Sequence, residues 1–255
     1  MSRLFDAEVI HLLAVNHLFR LISVRPLSEI PLPEPGQFFM LQASKTYDPL
    51  LKRPFSIFKY HHSILQFLYR IRGKGTECLS DLAAGDMIQL LGPLGNSYPS
   101  PEGNFIAVTG GIGIASLFSL IEANPSSAYL FCGARNCDEL LMIDEVKAFA
   151  KDVCITTDDG TSCRKGLVTE PLKDFIESAV FKNEPVPIYA CGPTPMLREL
   201  ARIVEGKGLT CYVSLEEVMA CGMGACLGCV TSTADGYKRV CKEGPVFRIE
   251  DIVWK

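Results

Sequence analysis

The chain has 255 residues, and at about 150 residues per domain this length predicts roughly two domains. Hydrophobic residues make up 48% of the chain and charged residues 21%, which is enough apolar material to bury real cores and excludes a disordered protein. The formal net charge is −4, from 25 basic and 29 acidic side chains, and this excludes the basic surface of a nucleic-acid-binding protein.

Eleven cysteines are spread through the chain, and no secretory leader is expected because Asp6 and Glu8 interrupt the start of the chain. This usage is typical of a reducing cytoplasm, where thiols serve as ligands or core residues. The uncharged segment 103–121 is nearly long enough to span a membrane, but glycines within it predict a strand, a turn and a helix. We therefore expect a soluble, cytoplasmic protein.

The first hundred residues predict a small closed β barrel or sandwich. Short runs rich in β-branched and aromatic residues alternate with clusters of Pro and Gly, a spacing typical of such folds. A single helical turn is predicted to start near Thr76. The predicted strands are 7–14, 19–24, 37–42, 55–60, 64–71 and 86–91.

From Asn104 the pattern changes to alternating strands and helices, which predicts a parallel sheet covered by helices on both faces. The predicted strands are 105–109, 128–132, 153–157, 187–191 and 209–214. The predicted helices are 114–123, 138–151, 169–179 and 195–205. After Glu217 this rhythm stops.

The C-terminal segment carries the strongest chemical signal. Two cysteines separated by four residues are followed by a third after two residues and a fourth after eleven, which is plant-type spacing for a [2Fe–2S] cluster. The glycines between them let the backbone curl around a cluster and turn its N–H groups toward the sulfides. The predicted ligands are Cys221, Cys226, Cys229 and Cys241.

Zinc is the alternative to iron and sulfur at this site, because four thiolates also make a closed structural zinc site. Zinc ribbons normally use two Cys-x-x-Cys pairs, and only Cys226 and Cys229 form one here. All four histidines lie at residue 62 or earlier, which disfavours mixed Cys/His sites. The iron–sulfur interpretation is favoured, with a zinc-bound docking module or buried structural cysteines left open.

Two segments of the predicted barrel favour a flavin nucleotide. Arg53 opens a strand in the run Arg-Pro-Phe-Ser and offers a bidentate fork for a pyrophosphate, while Ser56 can hydrogen-bond a flavin ring edge. Gly75 and Thr76 would expose N–H groups to an anion at a helix start. Each feature alone is equally typical of a turn or hairpin, and their combination ahead of a βα domain carries the prediction.

Two glycine turns favour a nicotinamide dinucleotide. Gly110, Gly111 and Gly113 lie where the first strand of the βα domain meets its helix, and Cys191-Gly192-Pro193 ends a later strand. The carboxyl ends of such strands form the ligand crevice, so both turns are expected to face the same nicotinamide. Close packing of strand on helix would explain the first turn nearly as well.

The order of these motifs resembles the ferredoxin–NADP reductase superfamily, and the cysteine segment narrows the resemblance to electron-transfer subunits of class 1B dihydroorotate dehydrogenases. The resemblance implies an FAD-binding barrel over 1–101, an NAD-binding α/β domain over 102–214 and a [2Fe–2S] module over 215–255. It also implies the cluster ligands named above. The implied FAD contacts are Arg53, Pro54, Phe55, Ser56, Tyr69, Arg70, Ile71, Gly75 and Thr76.

Sites for a cluster, a flavin and a nicotinamide together predict a converter between one-electron and two-electron couples. No catalytic residue is predicted, because the chain has no paired carboxylates, no Ser/His/Asp order and no histidine past residue 62. The resemblance places the organic substrate on an FMN-containing dihydroorotate dehydrogenase catalytic subunit of pyrimidine biosynthesis, in a heterotetramer of two copies of each chain. The alternative is the reductase subunit of a sulfide- or hydrogen-linked oxidoreductase.

Glu216 and Glu217 are expected to form a solvated acidic turn.

Overall fold

A computed structural model describes residues 2–44, 46–178 and 186–254, and in these ranges the chain forms two seven-stranded sheets and a two-stranded hairpin. The first sheet is antiparallel and lies within the first hundred residues, with the strand order β4-β3-β7-β1-β2-β6-β5. A short helix, α1 (Lys74–Ser80), follows β6. The strands are β1 (Arg3–Ala14), β2 (Phe19–Pro26), β3 (Phe38–Leu41), β4 (Arg53–Ser56), β5 (Lys59–His61), β6 (Ile64–Arg70) and β7 (Met87–Leu94).

This antiparallel sheet curls into a barrel around its own apolar side chains. Phe39 lies at its centre, with its ring edge-on to Phe5 at 6.2 Å and to Phe67 at 5.5 Å between centroids. Strands β4 and β6 approach each other across the opening, where the rings of Phe55 and Tyr69 are 5.2 Å apart. The predicted antiparallel barrel is therefore confirmed.

The second sheet has the order β11-β10-β9-β8-β12-β13-β16 and is parallel except for its last strand. Every residue of its central strands β8 and β12 is buried, as expected where helices cover both faces. Its parallel strands are β8 (Phe105–Gly110), β9 (Ala128–Ala134), β10 (Asp152–Thr157), β11 (Arg164–Lys165), β12 (Ile188–Cys191) and β13 (Cys211–Ser214). The helices are α2 (Ile114–Ala123), α3 (Ile143–Lys147), α4 (Thr169–Glu177) and α5 (Thr194–Val204).

The C-terminal segment forms a hairpin and then returns to the second sheet. Its strands are β14 (Val230–Thr233), β15 (Gly236–Arg239) and β16 (Val246–Arg248). Strand β16 pairs antiparallel with β13, and a 3-10 turn over Ile249–Asp251 follows it. Cys229, Val240 and Cys241 are buried in the same apolar cluster as Val213 of the sheet and Met40 of the barrel, so this segment packs on both larger units.

Three contacts join the barrel to helix α2. The rings of Phe58 and Phe118 lie 4.4 Å apart, and the hydroxyl oxygens of Tyr98 and Ser116 are 3.1 Å apart. Lys59 of β5 pairs with Glu122 of α2 at 2.9 Å and lies over the Phe118 ring. The relative placement of the two sheets is therefore fixed by buried as well as charged contacts.

Two predicted elements are wrong. The predicted helix 138–151 is a 3-10 turn over Cys137–Glu139 followed by the five residues of α3, because Leu140 is extended and Met142 has φ 55°. The predicted strand 55–60 is divided between β4 and β5, because Ile57 and Phe58 both turn into the core. The predicted helix 169–179 is seen as α4, and Ala179 lies outside the described residues.

None of the helices in the described ranges reaches the length and apolarity that crossing a bilayer requires.

Candidate functional site

A cleft of about 1620 Å³ runs between the barrel and the carboxyl ends of the second sheet's strands. It also reaches the C-terminal segment at Met219, Val230 and Trp254. Among the residues predicted to contact FAD or NAD, all but Gly113 line this single cleft. They are Arg53, Pro54, Phe55, Ser56, Tyr69, Arg70, Ile71, Gly75, Thr76, Gly110, Gly111, Cys191, Gly192 and Pro193.

The barrel end of the cleft is shaped by Arg53 and Gly75. A Cβ atom on Gly75 would lie 2.5 Å from Arg53 Nε, so only glycine lets the guanidinium lie over this turn. Arg53 also donates from Nη1 to the Leu51 carbonyl at 2.6 Å. The turn itself is held by Thr76, whose hydroxyl accepts from the N–H groups of Arg72 and Gly73 at 2.8 and 3.1 Å. A fixed cation above a side-chain-free turn fits a nucleotide pyrophosphate.

Two aromatic rings form the adjacent wall. Phe55 is half-buried, and Tyr69 is fully buried beside it. Burial raises the pKa of Tyr69, although its hydroxyl lies 3.3 Å from Ser80 Oγ, and the phenol stays neutral at ordinary pH. This part of the cleft presents an apolar surface of the kind that a flavin ring packs against.

On the wall formed by the second sheet, the three glycines at the end of β8 and just after it have different surroundings. A Cβ on Gly113 would collide with the Cys191 carbonyl, and one on Gly110 would lie 2.6 Å from Pro193 Cδ. These two positions therefore need glycine for close packing of one turn on the other. Gly111 has φ 53°, and the atom nearest to its Cβ position is Glu139 Oε2 at 4.0 Å. Gly111 alone of the three both lines the cleft and has open space before it.

Cys191 and Glu216 lie close together in the cleft wall. Desolvation raises the pKa of the buried Cys191 thiol, and the negative charge of Glu216 raises it further, so the thiol is neutral. Although solvent reaches Glu216, the cleft removes enough water to raise the pKa of this carboxyl, against the opposing effect of Arg72. Glu216 and Glu217 are both exposed, as expected of a solvated acidic turn, and Glu216 also lines the cleft shortly after the carboxyl end of β13.

The four C-terminal cysteines lie in one loop system and receive backbone hydrogen bonds. Cys221 Sγ accepts from the N–H groups of Ala225 and Cys226 at 3.3 and 3.4 Å. Cys226 Sγ accepts from Gly228 at 3.5 Å, and Cys229 Sγ accepts from Cys241 at 3.4 Å. Burial opposes the effect, but the N–H groups around Cys221 hold the pKa of its thiol below the ordinary value. Amide donors aimed at sulfur are the surroundings that a thiolate-bound cluster requires.

The backbone between these cysteines takes conformations that favour glycine. Gly222 and Gly224 have φ 69° and 86°, and this left-handed path curls the chain around Cys221. Cys229 and Cys241 are buried, whereas Cys226 is exposed. In the described ranges, no three His, Cys, Asp or Glu side chains are arranged to hold a single metal ion. The four cysteines are thus not grouped around one point, and it is their residue type, their amide donors and the curled backbone that fit the predicted cluster.

The cysteine loop packs on β3, the strand next to β4, which carries the Arg-Pro-Phe-Ser motif. A Cβ on Gly222 would lie 2.6 Å from Met40 Cγ, so the residue after Cys221 touches β3. In the barrel, Met40 is the register partner of Pro54 in β4. The cysteine loop therefore touches the strand that pairs with β4, which carries part of the predicted flavin site.

Comparison with known proteins agrees with this geometry. A family model described as the oxidoreductase NAD-binding domain matches residues 107–202, and one described as the iron–sulfur cluster binding domain of dihydroorotate dehydrogenase B matches 216–253. The electron transfer subunit of dihydroorotate dehydrogenase B (NAD(+)) from Caldanaerobacter subterraneus subsp. tengcongensis is 38% identical, covering 87% of this chain and 88% of that protein. The subunit of the same name from Desulforamulus reducens is 35% identical over 100% of both chains.

This chain belongs to the family of dihydroorotate dehydrogenase B electron transfer subunits. The family model over the cysteine segment supports the iron–sulfur interpretation over zinc. The predicted oxidoreductase role and the cofactors FAD, [2Fe–2S] and NAD agree with the two family models and the flavin-containing structural relatives.

Solved structures show the same architecture. An NADH-dependent reduced ferredoxin–NADP oxidoreductase that performs flavin-based electron bifurcation superposes with a TM-score of 0.82 at 27% identity, covering 97% of this chain and 90% of that one. The cytochrome b5 reductase domain of Ulva prolifera nitrate reductase shares the fold, with a TM-score of 0.65 at 19% identity over 83% of this chain and 97% of that one.

Proposed function

We propose that this dihydroorotate dehydrogenase B family member is the subunit that passes electrons from an FMN-containing, dihydroorotate-oxidising catalytic subunit to NAD⁺ in pyrimidine biosynthesis. The observation that carries the proposal is the arrangement of three sites along one path. The cysteine loop packs on Met40 of β3, which pairs with the predicted flavin strand β4, and the cleft lined by β4 continues to the turn at Gly111. A path of this kind serves electron transfer between separate substrates.

The residues of the chain bind and orient the three groups. Arg53 and the Gly75 turn hold the FAD pyrophosphate, and the wall of Phe55 and Tyr69 packs on the flavin ring. Cys221, Cys226, Cys229 and Cys241 hold the cluster. When bound, a [2Fe–2S] cluster carries single electrons, a flavin takes electrons singly or in pairs, and NAD⁺ accepts a hydride.

Two titratable groups of the cleft wall stay uncharged. The neutral thiol of Cys191 and the buried phenol of Tyr69 add no charge to the cleft wall. Gly110 and Gly113 hold the two turns of the second sheet in close contact.

The organic substrate belongs to the partner. We assign three functional segments, a flavin barrel (1–101), a dinucleotide domain (102–214) and a cluster module (215–255), and none of them is assigned a site for dihydroorotate. We therefore place dihydroorotate oxidation to orotate on the catalytic subunit, in a complex of two copies of each chain. The eleven cysteines, all within the described ranges, form no disulfide, in keeping with our placement of the complex in the cytoplasm.

Co-expression with the FMN-bearing subunit of the same organism tests this function. The purified complex is expected to reduce NAD⁺ with dihydroorotate, measured as NADH absorbance, whereas the catalytic subunit alone is expected to reduce only artificial acceptors. A complex that forms and oxidises dihydroorotate without reducing NAD⁺ would contradict the proposal. So would a failure of the two chains to co-purify.

A second candidate is the reductase subunit of another flavin and iron–sulfur complex. Its support is the likeness along 97% of the chain to the NADH-dependent reduced ferredoxin–NADP oxidoreductase. Reduction of NAD⁺ by reduced ferredoxin, sulfide or hydrogen in native extract, with no response to dihydroorotate, would favour this candidate.

A further inference from the structure

An ion pair crosses the cleft between the two predicted nucleotide sites. Arg70 Nη1 of barrel strand β6 lies 3.2 Å from Glu139 Oε1 of the 3-10 turn that follows β9. The Glu139 side chain is only 11% exposed, and the Arg70 guanidinium also lies 5.6 Å from the centre of the Phe19 ring. A carboxylate this far removed from water needs fixed partners. Arg70 supplies a partner for one of its two oxygens.

The backbone around Glu139 is held from both sides. The Asn136 side chain accepts the Glu139 N–H at 3.3 Å and caps the turn. The Asn16 side chain donates to the Asp138 carbonyl at 2.7 Å and accepts the N–H groups of Leu18 and Phe19 at 2.8 and 3.1 Å. The position of the carboxylate is therefore set before any ligand binds.

The second oxygen of Glu139 faces the cleft. Oε2 lies 4.0 Å from the Cβ position of Gly111, the one glycine of its turn with open space before it. In the described part of the chain, Oε2 makes no hydrogen bond. A pyrophosphate placed at this turn would meet a carboxylate, which like charge disfavours. A neutral O–H or N–H donor would instead satisfy the free oxygen.

We propose that Glu139 recognises the nicotinamide half of the dinucleotide at Gly111 by accepting a hydrogen bond from a ribose hydroxyl or from the carboxamide. Arg70 positions the carboxylate and leaves Oε2 free for the ligand. The inference rests on the proposed NAD site and adds its orientation: the nicotinamide half lies at Gly111, next to the flavin side of the cleft, and the pyrophosphate lies farther away. Arg70 thereby contacts both nucleotide sites.

Calorimetric titration of the FAD-loaded chain with NAD⁺ tests the inference. Glu139→Gln keeps the shape and removes the charge that strengthens the bond, so its Kd is expected to rise about tenfold. Glu122→Gln is the matched control, because its pair with Lys59 also joins barrel to sheet but neither residue lines the cleft. This control is expected to bind NAD⁺ as the wild type does. Glu139→Asp, which keeps the charge, is a second variant should Glu139→Gln not fold.

The outcomes separate the inference from the proposed function. If the wild type binds NAD⁺ and folded Glu139→Gln binds it with unchanged affinity, the role of Glu139 alone is overturned. Should Glu139→Gln not fold, Glu139→Asp is expected to weaken binding because its shorter side chain draws the carboxylate back from the ligand, and unchanged affinity would overturn the role. Equal weakening in Glu122→Gln overturns the role in favour of domain placement. Absence of NAD⁺ binding by the wild type overturns the proposed NAD site itself. The acetylpyridine analogue of NAD⁺, which lacks the amide N–H, separates the donors. If the Glu139→Gln effect persists with it, the donor is the ribose hydroxyl, and if it disappears, the donor is the carboxamide.

Discussion

The Asn96 side chain and the Val246 backbone exchange two hydrogen bonds. Asn96 Nδ2 donates to the Val246 carbonyl at 2.8 Å, and Asn96 Oδ1 accepts the Val246 N–H at 2.9 Å. The same Nδ2 lies 3.1 Å from the Glu243 carbonyl. Asn96 follows the last strand of the barrel and Val246 begins β16, so one amide joins residues 150 positions apart. It fixes the chain just after the fourth cysteine.

Asn96→Ala is expected to lower the free energy of unfolding by about 2 kcal/mol, because it leaves the partly buried Val246 N–H and carbonyl without partners. Urea denaturation of the loaded chain measures this loss. Asn124→Ala is the control, since the Asn124 amide bonds only to the Leu120 carbonyl of its own helix. Equal destabilisation by the two variants would show that the link to Val246 adds nothing specific.

Cys226→Ser is expected to lose iron and to weaken coupling to the partner while FAD remains on the barrel. The reason is that Cys226 lies in the exposed part of the cysteine loop, away from the flavin strand. Iron analysis and the spin-resonance signal of dithionite-reduced protein measure the result. Cys163→Ser, an exposed cysteine outside the loop, is expected to keep both. Unchanged iron in Cys226→Ser would remove this residue from the ligand set.

Arg53→Ala is expected to lower FAD occupancy after dialysis, because a charge-assisted phosphate contact is worth about 1.5–3 kcal/mol. Gly75→Ala should reproduce the loss without touching the arginine, since the new methyl would displace the Arg53 guanidinium. Flavin absorbance relative to protein gives the occupancy. Arg25→Ala, an exposed barrel arginine paired with Glu8 at 2.7 Å, should retain FAD. Full retention in the two cleft variants would contradict the assigned site.

Thiol labelling is expected to follow burial. Burial raises the pKa of the Cys132 thiol from 9.0 to about 11, so at pH 8 only about one thiol in a thousand is ionised. Iodoacetamide should therefore label the exposed Cys137 and Cys163 in native protein and reach Cys132 only in denaturant. The pKa of the Cys132 thiol is higher in the folded than in the unfolded protein, so the free energy of unfolding should fall as the pH rises from about 9 toward 11. Mass spectrometry of the labelled peptides measures this labelling pattern. Rapid labelling of Cys132 in native protein would contradict the prediction.

Much of the fold follows from local patterns, and the exceptions have local causes. The runs of buried residues in β8 and β12 made the parallel sheet predictable. The helix expected over 138–151 fails because Leu141 reaches the core only when Leu140 is extended, and hydrophobic spacing does not distinguish the two paths. In the C-terminal segment the strands are only three or four residues long, too short for alternation to be visible.

The site was predictable where the residue type itself carries the chemistry. Arg53 and the four cysteines belong to motifs, whereas Glu139 and Glu216 are ordinary acidic residues whose position comes from the topology. Glu139 follows β9 and Glu216 follows β13, so the rule that ligands bind at the carboxyl ends of parallel strands was the available signal. Gly113 shows the converse, because it belongs to the motif but only packs against Cys191.

Strand β16 also protects the second sheet from aggregation. Without β16, strand β13 (Cys211–Ser214) would be an edge strand with unpaired backbone amides exposed to solvent. Other chains could then pair with this edge. Strand β16 covers this edge and is only three residues long. Pro245 precedes it and the charged Arg248 ends it, so β16 itself is a poor template for further strand pairing. Proteolytic removal of the C-terminal segment 215–255 would therefore remove the cluster ligands and also leave a fragment with an exposed edge strand that is prone to aggregate.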